Sequence, residues 1–396
     1  MSVYPFKINI PEPPLGDMRR RILSTRWTDE ISGAGWDYGT NLSYLKELSR
    51  YWADDYDWRG REKIMNGFSH YKANIDGFNI HFINEPARGK SHFPIILIHG
   101  WPYSFLQMLK IIPILTDPEK HGGDAEDSFD VIVPSLPGYG FSDRPSEKGM
   151  TVPRITDIFV RLMGEELGHR RYGVRGSDFG AGVARQMALT HPGAISGVHL
   201  SGSLPPPGSP PKDLSKAEQR FIAESRRFRA QEGAYALLNT TKPQTLAYGL
   251  NDSPAGLAAW LVEKFRAWSD CGGDVEKRFT KDELLDNLTV YWVTQTINSS
   301  CRLYYETAHS PWPSAGKRLE TPVAFAMFPK DFYSGPREWA LRDHNVQRWT
   351  EMPRGGHFGE FEEPELLAED IRSFFRALRE PPAVYASRGA IFDEPF

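Results

Sequence analysis

A strand, a sharp turn and a helix are compressed into Tyr172-Gly-Val-Arg-Gly-Ser-Asp-Phe-Gly-Ala-Gly182. A turn that tight holds its apical side chain in a strained, exposed position, and the residues two places either side must be small because the backbone crowds them. Two centres compete for the apex. Ser177 would place Arg175 and Phe179 at the flanks, and both are bulky; Asp178 places Gly176 and Gly180 there. The spacing therefore selects a carboxylate as the nucleophile. The same residues also read as a glycine-rich turn in which Asp178 merely caps the following helix, and a short motif does not separate the two.

The surrounding rhythm belongs to an α/β protein. Buried strands are predicted at Ile95–Ile98, Val131–Pro134, Tyr172–Arg175, Val198–Leu200, Val323–Met327 and Gln347–Thr350, with helical patterns between several of them, as at Thr156–Leu167 and Phe179–Thr190. Strands alternating with helices imply a parallel sheet. Leu204-Pro-Pro-Pro-Gly-Ser-Pro-Pro211 breaks the alternation; the chain then reads as mostly helical until Thr321-Pro322. A helical insertion inside an α/β sheet is the pattern of a lid over an active site. The expected organisation is an N-terminal segment at 1–87, a first core part at 88–204, a helical lid at 205–318 and a second core part at 319–396. Within the N-terminal segment, helices are predicted near Leu15–Ser24 and Leu42–Tyr56. Gly77 divides His70–Asn84 into two alternating runs, which predicts a hairpin.

Three further positions fit the order such a fold requires. Ile98-His-Gly-Trp-Pro-Tyr-Ser-Phe105 follows a buried strand, where a second oxyanion-hole loop belongs, so the Trp101 N–H is expected to work with the Phe179 N–H. Among 11 histidines, His357 stands alone on a glycine-rich loop near the end of the chain, in Arg354-Gly-Gly-His-Phe358. That is the place of the base in the order nucleophile, acid, base. Between them, Asp331 follows a predicted core strand and is the expected acid; Asp343 competes but lies away from a strand end.

Composition excludes whole classes. The formal charge is −4 without a lysine- or arginine-rich block, which gives no electrostatic footprint for nucleic acid or an anionic membrane. Two cysteines, Cys271 and Cys301, offer neither a disulfide framework nor a metal-binding spacing, and point to a reducing, cytoplasmic setting. No signal peptide or apolar run of the ~18 residues needed for a membrane span is visible.

At this point the sequence resembles the microsomal-type epoxide hydrolases of the α/β-hydrolase fold, particularly their soluble fungal members, over nearly its whole length. The resemblance is carried by Tyr4-Pro-Phe-Lys7, Tyr51-Trp52, Asp57-Trp58, Ile80-His-Phe-Ile83, His99-Gly-Trp-Pro102, Pro134-Ser-Leu-Pro-Gly-Tyr-Gly-Phe-Ser142, Leu250-Asn-Asp-Ser-Pro254 and Gly355-Gly-His-Phe358. It implies two lid tyrosines that donate hydrogen bonds to the epoxide oxygen, matching Tyr235 ahead of Lys242-Pro243 and Tyr304 in Arg302-Leu-Tyr-Tyr-Glu306. It also implies a covalent ester on Asp178, hydrolysis by water that His357 activates, a vicinal diol product, no cofactor or metal, and a homodimer without the membrane anchor of microsomal members. A role in detoxification or aromatic hydrocarbon catabolism is implied with it. Tyr103 departs from the glycine that many relatives carry after His-Gly-Trp-Pro, which puts the shape of the oxyanion loop in question. Two rival readings remain: a dehalogenase with the same aspartate nucleophile, and a non-catalytic binding protein of the same fold.

Overall fold

In the computed structural model, residues 3–201, 213–310, 316–332 and 334–379 are described. The proline-rich stretch at 204–211 lies outside them. Among the described residues the strands are β1 (Val3–Pro5), β2 (His70–Ile75), β3 (Phe78–Glu85), β4 (Phe93–Ile98), β5 (Phe129–Pro134), β6 (Tyr172–Ser177), β7 (Ile195–Ser201), β8 (Leu319–Met327) and β9 (His344–Glu351). They form one sheet in the order β1-β2-β3-β5-β4-β6-β7-β8-β9. From β5 to β9 every neighbouring pair is parallel; β1, β2 and β3 are antiparallel additions at one edge. Parallel strands buried on both faces need unbroken apolar runs, and Ile95 through Ile98 are fully enclosed.

All six predicted core strands are present, several of them longer than their apolar centres. The hairpin is closed by Asp76-Gly77, both with positive φ (52° and 83°), the pairing a tight two-residue turn demands. Strand β1 and the helix Trp58–Met65 were not expected. The first spans three residues, too few for a period to show; the second carries an interior Gly60 and few apolar residues, and is started by Asp57, whose side chain accepts from the Gly60 N–H at 3.0 Å.

The chain leaves β4 toward β5 on one side and reaches β6 on the other. The loops after β4 and β6 therefore diverge at a topological switch point, where open α/β sheets bind ligands. Above this crevice lie helices Lys216–Gln231, Ala234–Thr241, Pro243–Leu250, Pro254–Trp268, Lys281–Thr294 and Ile297–Ala308. The N-terminal segment grips this layer from outside. Tyr51 and Tyr56 donate to Asp282 and Asp286 at 2.9 and 2.8 Å, Trp52 Nε1 donates to Thr289 at 2.9 Å, and the Arg61 guanidinium forks onto Asp286. Among the described residues no helix is long and apolar enough to cross a membrane.

Candidate active site

The elbow takes its shape from its glycines. A Cβ on Gly176 would lie 2.2 Å from the Gly180 carbonyl oxygen, and one on Gly180 would lie 2.0 Å from that of Ile98. Both contacts are with backbone, so neither can yield cheaply. The tightness forces Asp178 to φ 50°, ψ −125°, a conformation that L-residues other than glycine seldom adopt. Its side chain does not turn back to cap the helix Phe179–Thr190. It reaches across the crevice instead, where the Trp101 N–H donates to Oδ1 at 2.9 Å. Ser177 faces the other way: it is buried, and its hydroxyl donates to Glu360 at 3.0 Å.

His357 stands opposite the aspartate. Its Nε2 is 3.8 Å from Asp178 Oδ2, and its Nδ1 is 3.0 Å from Asp331 Oδ1. Asp331 comes from a turn just past β8, closed by its N–H donating to the Phe328 carbonyl at 3.2 Å. Asp343 ends the helix Arg337–Asp343 at the start of β9, whereas His357 follows the far end of that strand. The loop carrying His357 is fastened to the helical layer: the His357 N–H donates to the Trp268 carbonyl at 2.8 Å, and Glu362 accepts from the N–H groups of Asp270, Gly356 and Phe358. The rings of Trp268 and Phe332 wall the imidazole at 5.4 and 4.5 Å.

Electrostatics follow from this enclosure. Burial pushes the Asp178 carboxyl above the ordinary range, opposed by the His357 charge and by the Trp101 and Phe179 N–H groups. Burial alone would lower the His357 imidazole, but the Asp331 carboxylate, through charge and hydrogen bond, and then Asp178 lift it above its ordinary value.

The helical layer contributes the two tyrosines. Tyr235 stacks on Trp101 with ring centroids 5.3 Å apart and planes 7° from parallel, and Tyr304 meets Phe179 edge-on at 4.7 Å. The two tyrosine rings lie 6.0 Å apart. The Tyr304 hydroxyl is buried and makes no hydrogen bond to another described residue. Its neighbour Tyr305 turns outward and stacks on His309 at 4.1 Å. The Tyr103 side chain points away from the Trp101 N–H. It is buried among Phe265, Phe358 and Phe361, and its carbonyl accepts from Tyr291 at 3.0 Å, so the residue fills the seam between the helical layer and the His357 loop.

Comparison with known proteins gives this arrangement its place. A model described as the epoxide hydrolase N terminus matches residues 3–108, and one described as the alpha/beta hydrolase fold matches 94–364. Epoxide hydrolase 1 of Sus scrofa is 36% identical over 96% of this chain and 90% of its own length. The chain belongs to the epoxide hydrolase family. Its fold superimposes on solved structures of epoxide hydrolases. Juvenile hormone epoxide hydrolase from the silkworm Bombyx mori has a TM-score of 0.88 and 32% identity, covering 96% of this chain and 95% of that one. The Aspergillus niger epoxide hydrolase has a TM-score of 0.84 and 29% identity, covering 96% and 97%.

In this epoxide hydrolase family member, Asp178, Asp331, His357, Tyr235, Tyr304, Trp101 and Phe179 converge on one crevice. The sequence reading missed Glu360, Arg175 and Trp268. An arginine in the middle of an apolar strand was a usable signal, since a charge buried there needs a buried partner. All three carboxylates of Glu360-Phe-Glu-Glu363 are buried, and nothing in the run distinguishes which one meets Arg175.

Proposed function

We propose that this chain hydrolyses epoxides to vicinal diols in two covalent steps, with Asp178 as nucleophile. Asp178 attacks an epoxide carbon, the C–O bond breaks, and the opening oxygen takes a proton from the phenol pair Tyr235 and Tyr304. A neutral phenol suits that role because it can donate to a developing alkoxide. Neutral His357, oriented by Asp331, then removes a proton from water as the water attacks the ester carbonyl of Asp178. The oxyanion forms between the Trp101 and Phe179 N–H groups at the start of a helix, where the dipole favours negative charge. The acyl–oxygen bond of the ester breaks, not the alkyl C–O bond; the departing diol oxygen takes the proton held by His357, and the proton of the new Asp178 carboxyl returns to the phenolate, which regenerates carboxylate, neutral imidazole and phenol.

One observation carries the reading. An aspartate held by a backbone N–H sits within reach of an Asp-paired imidazole, beneath a buried tyrosine hydroxyl that no other described residue occupies. Purified protein incubated with an aryl epoxide such as styrene oxide should release the diol, and alkyl bromides or chlorides should not react. Halide release without diol would instead support the dehalogenase reading. The same proposal extends to a cytoplasmic homodimer that clears reactive epoxides in detoxification or aromatic hydrocarbon catabolism. It draws on the family resemblance and on Cys271 and Cys301, both buried free thiols. Light scattering and cell fractionation test those two points.

A further inference from the structure

We propose that Arg175 and Glu360 are a positioning pair for both halves of the reaction: one buried ion pair ties the strand entering the elbow to the loop carrying His357 and places balanced charges beneath the nucleophile and the base. The proposal rests on the roles given above to Asp178 and His357. Both side chains are wholly enclosed, and Arg175 Nη2 lies 2.7 Å from Glu360 Oε1. The same guanidinium donates to the Gly176 carbonyl at 2.8 Å, to the His199 carbonyl at 3.4 Å and to Ser201 Oγ. The Ser177 hydroxyl donates to Glu360 Oε1 at 3.0 Å, and Gln107 Nε2 donates to the other oxygen at 2.6 Å.

Arg175, Gly176 and Ser177 are the residues that immediately precede the nucleophile, and all of them are bound into this network. Its hub, Glu360, stands just beyond His357 on the segment Gly359–Glu362. The elbow and the base loop come from distant parts of the chain, yet one carboxylate fixes both. A buried ion pair is no bargain for stability, because well-packed apolar residues of similar volume serve as well or better. Its location under the reacting groups is therefore the informative fact.

The charges also bear on His357. That imidazole is faced by Asp331 from the turn after β8, by Asp178 from the elbow and by Glu360 from its own segment. Arg175 is faced by Glu360, Asp370 and Asp331, and His99 and His199 lie within the field of Glu360. Intact, the pair is nearly neutral toward its surroundings. Glu360→Gln removes one anion near His357 and leaves the Arg175 cation without its direct partner, which disfavours protonated His357. Arg175→Gln leaves the Glu360 anion uncompensated, which favours it. Loosened packing alone would not move the two variants in opposite directions.

The test is steady-state turnover plus single-turnover hydrolysis of the preformed alkyl-enzyme across pH, for the wild type, Glu360→Gln, Arg175→Gln and the double variant. Hydrolysis requires neutral His357, so its rate rises with pH. The limb should move down by roughly one pH unit in Glu360→Gln and up by roughly one in Arg175→Gln, as expected for one buried charge nearby. Loss of the ties should lower kcat about tenfold or more in each variant, with KM within about twofold, since misplacement of reacting groups acts on the chemical step. Limbs that stay in place or move the same way overturn the proposal. Should the single variants fail to fold, the charge-free double variant decides. The proposal expects reduced kcat, near-normal KM and a wild-type limb, and full kcat there overturns it. A wild type that forms no diol overturns the site reading itself, a result distinct from an active wild type with insensitive variants.

Discussion

Replacing Tyr304 with Phe removes one oxygen from the crevice and separates catalysis from stability in a measurable way. The hydroxyl makes no hydrogen bond to another described residue, and its ring is held by Phe179, Trp101 and Tyr235. The fold therefore loses no internal hydrogen bond and keeps its packing, so the change in stability should stay within about 1 kcal/mol. For a chain of 396 residues, unfolding entropy near ~2.1 cal/mol/K per residue makes 1 kcal/mol worth about one degree of Tm. Alkylation is another matter. Loss of a donor aimed at developing negative charge costs ~2–4 kcal/mol, or roughly 30- to 1,000-fold in rate. Rapid-quench single-turnover measurement of the alkyl-enzyme, beside a calorimetric Tm, reads both quantities. Tyr305→Phe is the control and should change neither, because that ring faces outward against His309. Tyr304→Phe with wild-type alkylation, or with Tm lowered by several degrees, would refute the reasoning.

Other consequences are open to the same kind of check. His357→Gln should block hydrolysis but not attack, so intact-protein mass spectrometry after adding epoxide should show a stable adduct of the substrate's mass. With enzyme in excess in heavy-oxygen water, the first diol should carry unlabelled oxygen and the label should enter Asp178; a labelled first diol would mean direct attack by water. Because His357 is raised chiefly by Asp331 against the lowering effect of burial, the hydrolysis limb should lie above the ordinary imidazole value of ~6.5. Asp331→Asn should draw it down, and a limb that Asp331→Asn leaves unmoved would refute this. Gly180→Ala should abolish the soluble fold or activity, since its Cβ would lie 2.0 Å from the Ile98 carbonyl oxygen. Gly249→Ala, with nothing within 4 Å, should keep activity and gain up to about 1 kcal/mol.

What the sequence disclosed and what it hid have physical reasons. The elbow was legible because sterics write it in residue types: only glycine survives at 176 and 180 when backbone atoms stand that close. Asp331 was legible from its place just beyond an apolar strand, and the parallel core from its unbroken runs. Tyr235 and Tyr304 could not be picked from 16 tyrosines by pattern, because a tyrosine facing a crevice and one that only packs are the same letter in a sequence; family likeness pointed to them. Glu360 was invisible for the same kind of reason. Its acidic neighbourhood reads as a solvated face, and only the fold shows it opposite an arginine.

The grip of the N-terminal segment on helix Lys281–Thr294 bears on how substrates arrive. To swing that helix outward, the chain would have to strip Arg61 from Asp286 and break the bonds from Tyr51, Tyr56 and Trp52 together. Such a cover is riveted, not hinged. A cover held that way would have little freedom to adapt to a bulky substrate, so the space already present beneath it would set the largest molecule admitted. Selectivity by size would thus be tuned from the far side of the molecule, at residues that never touch the substrate.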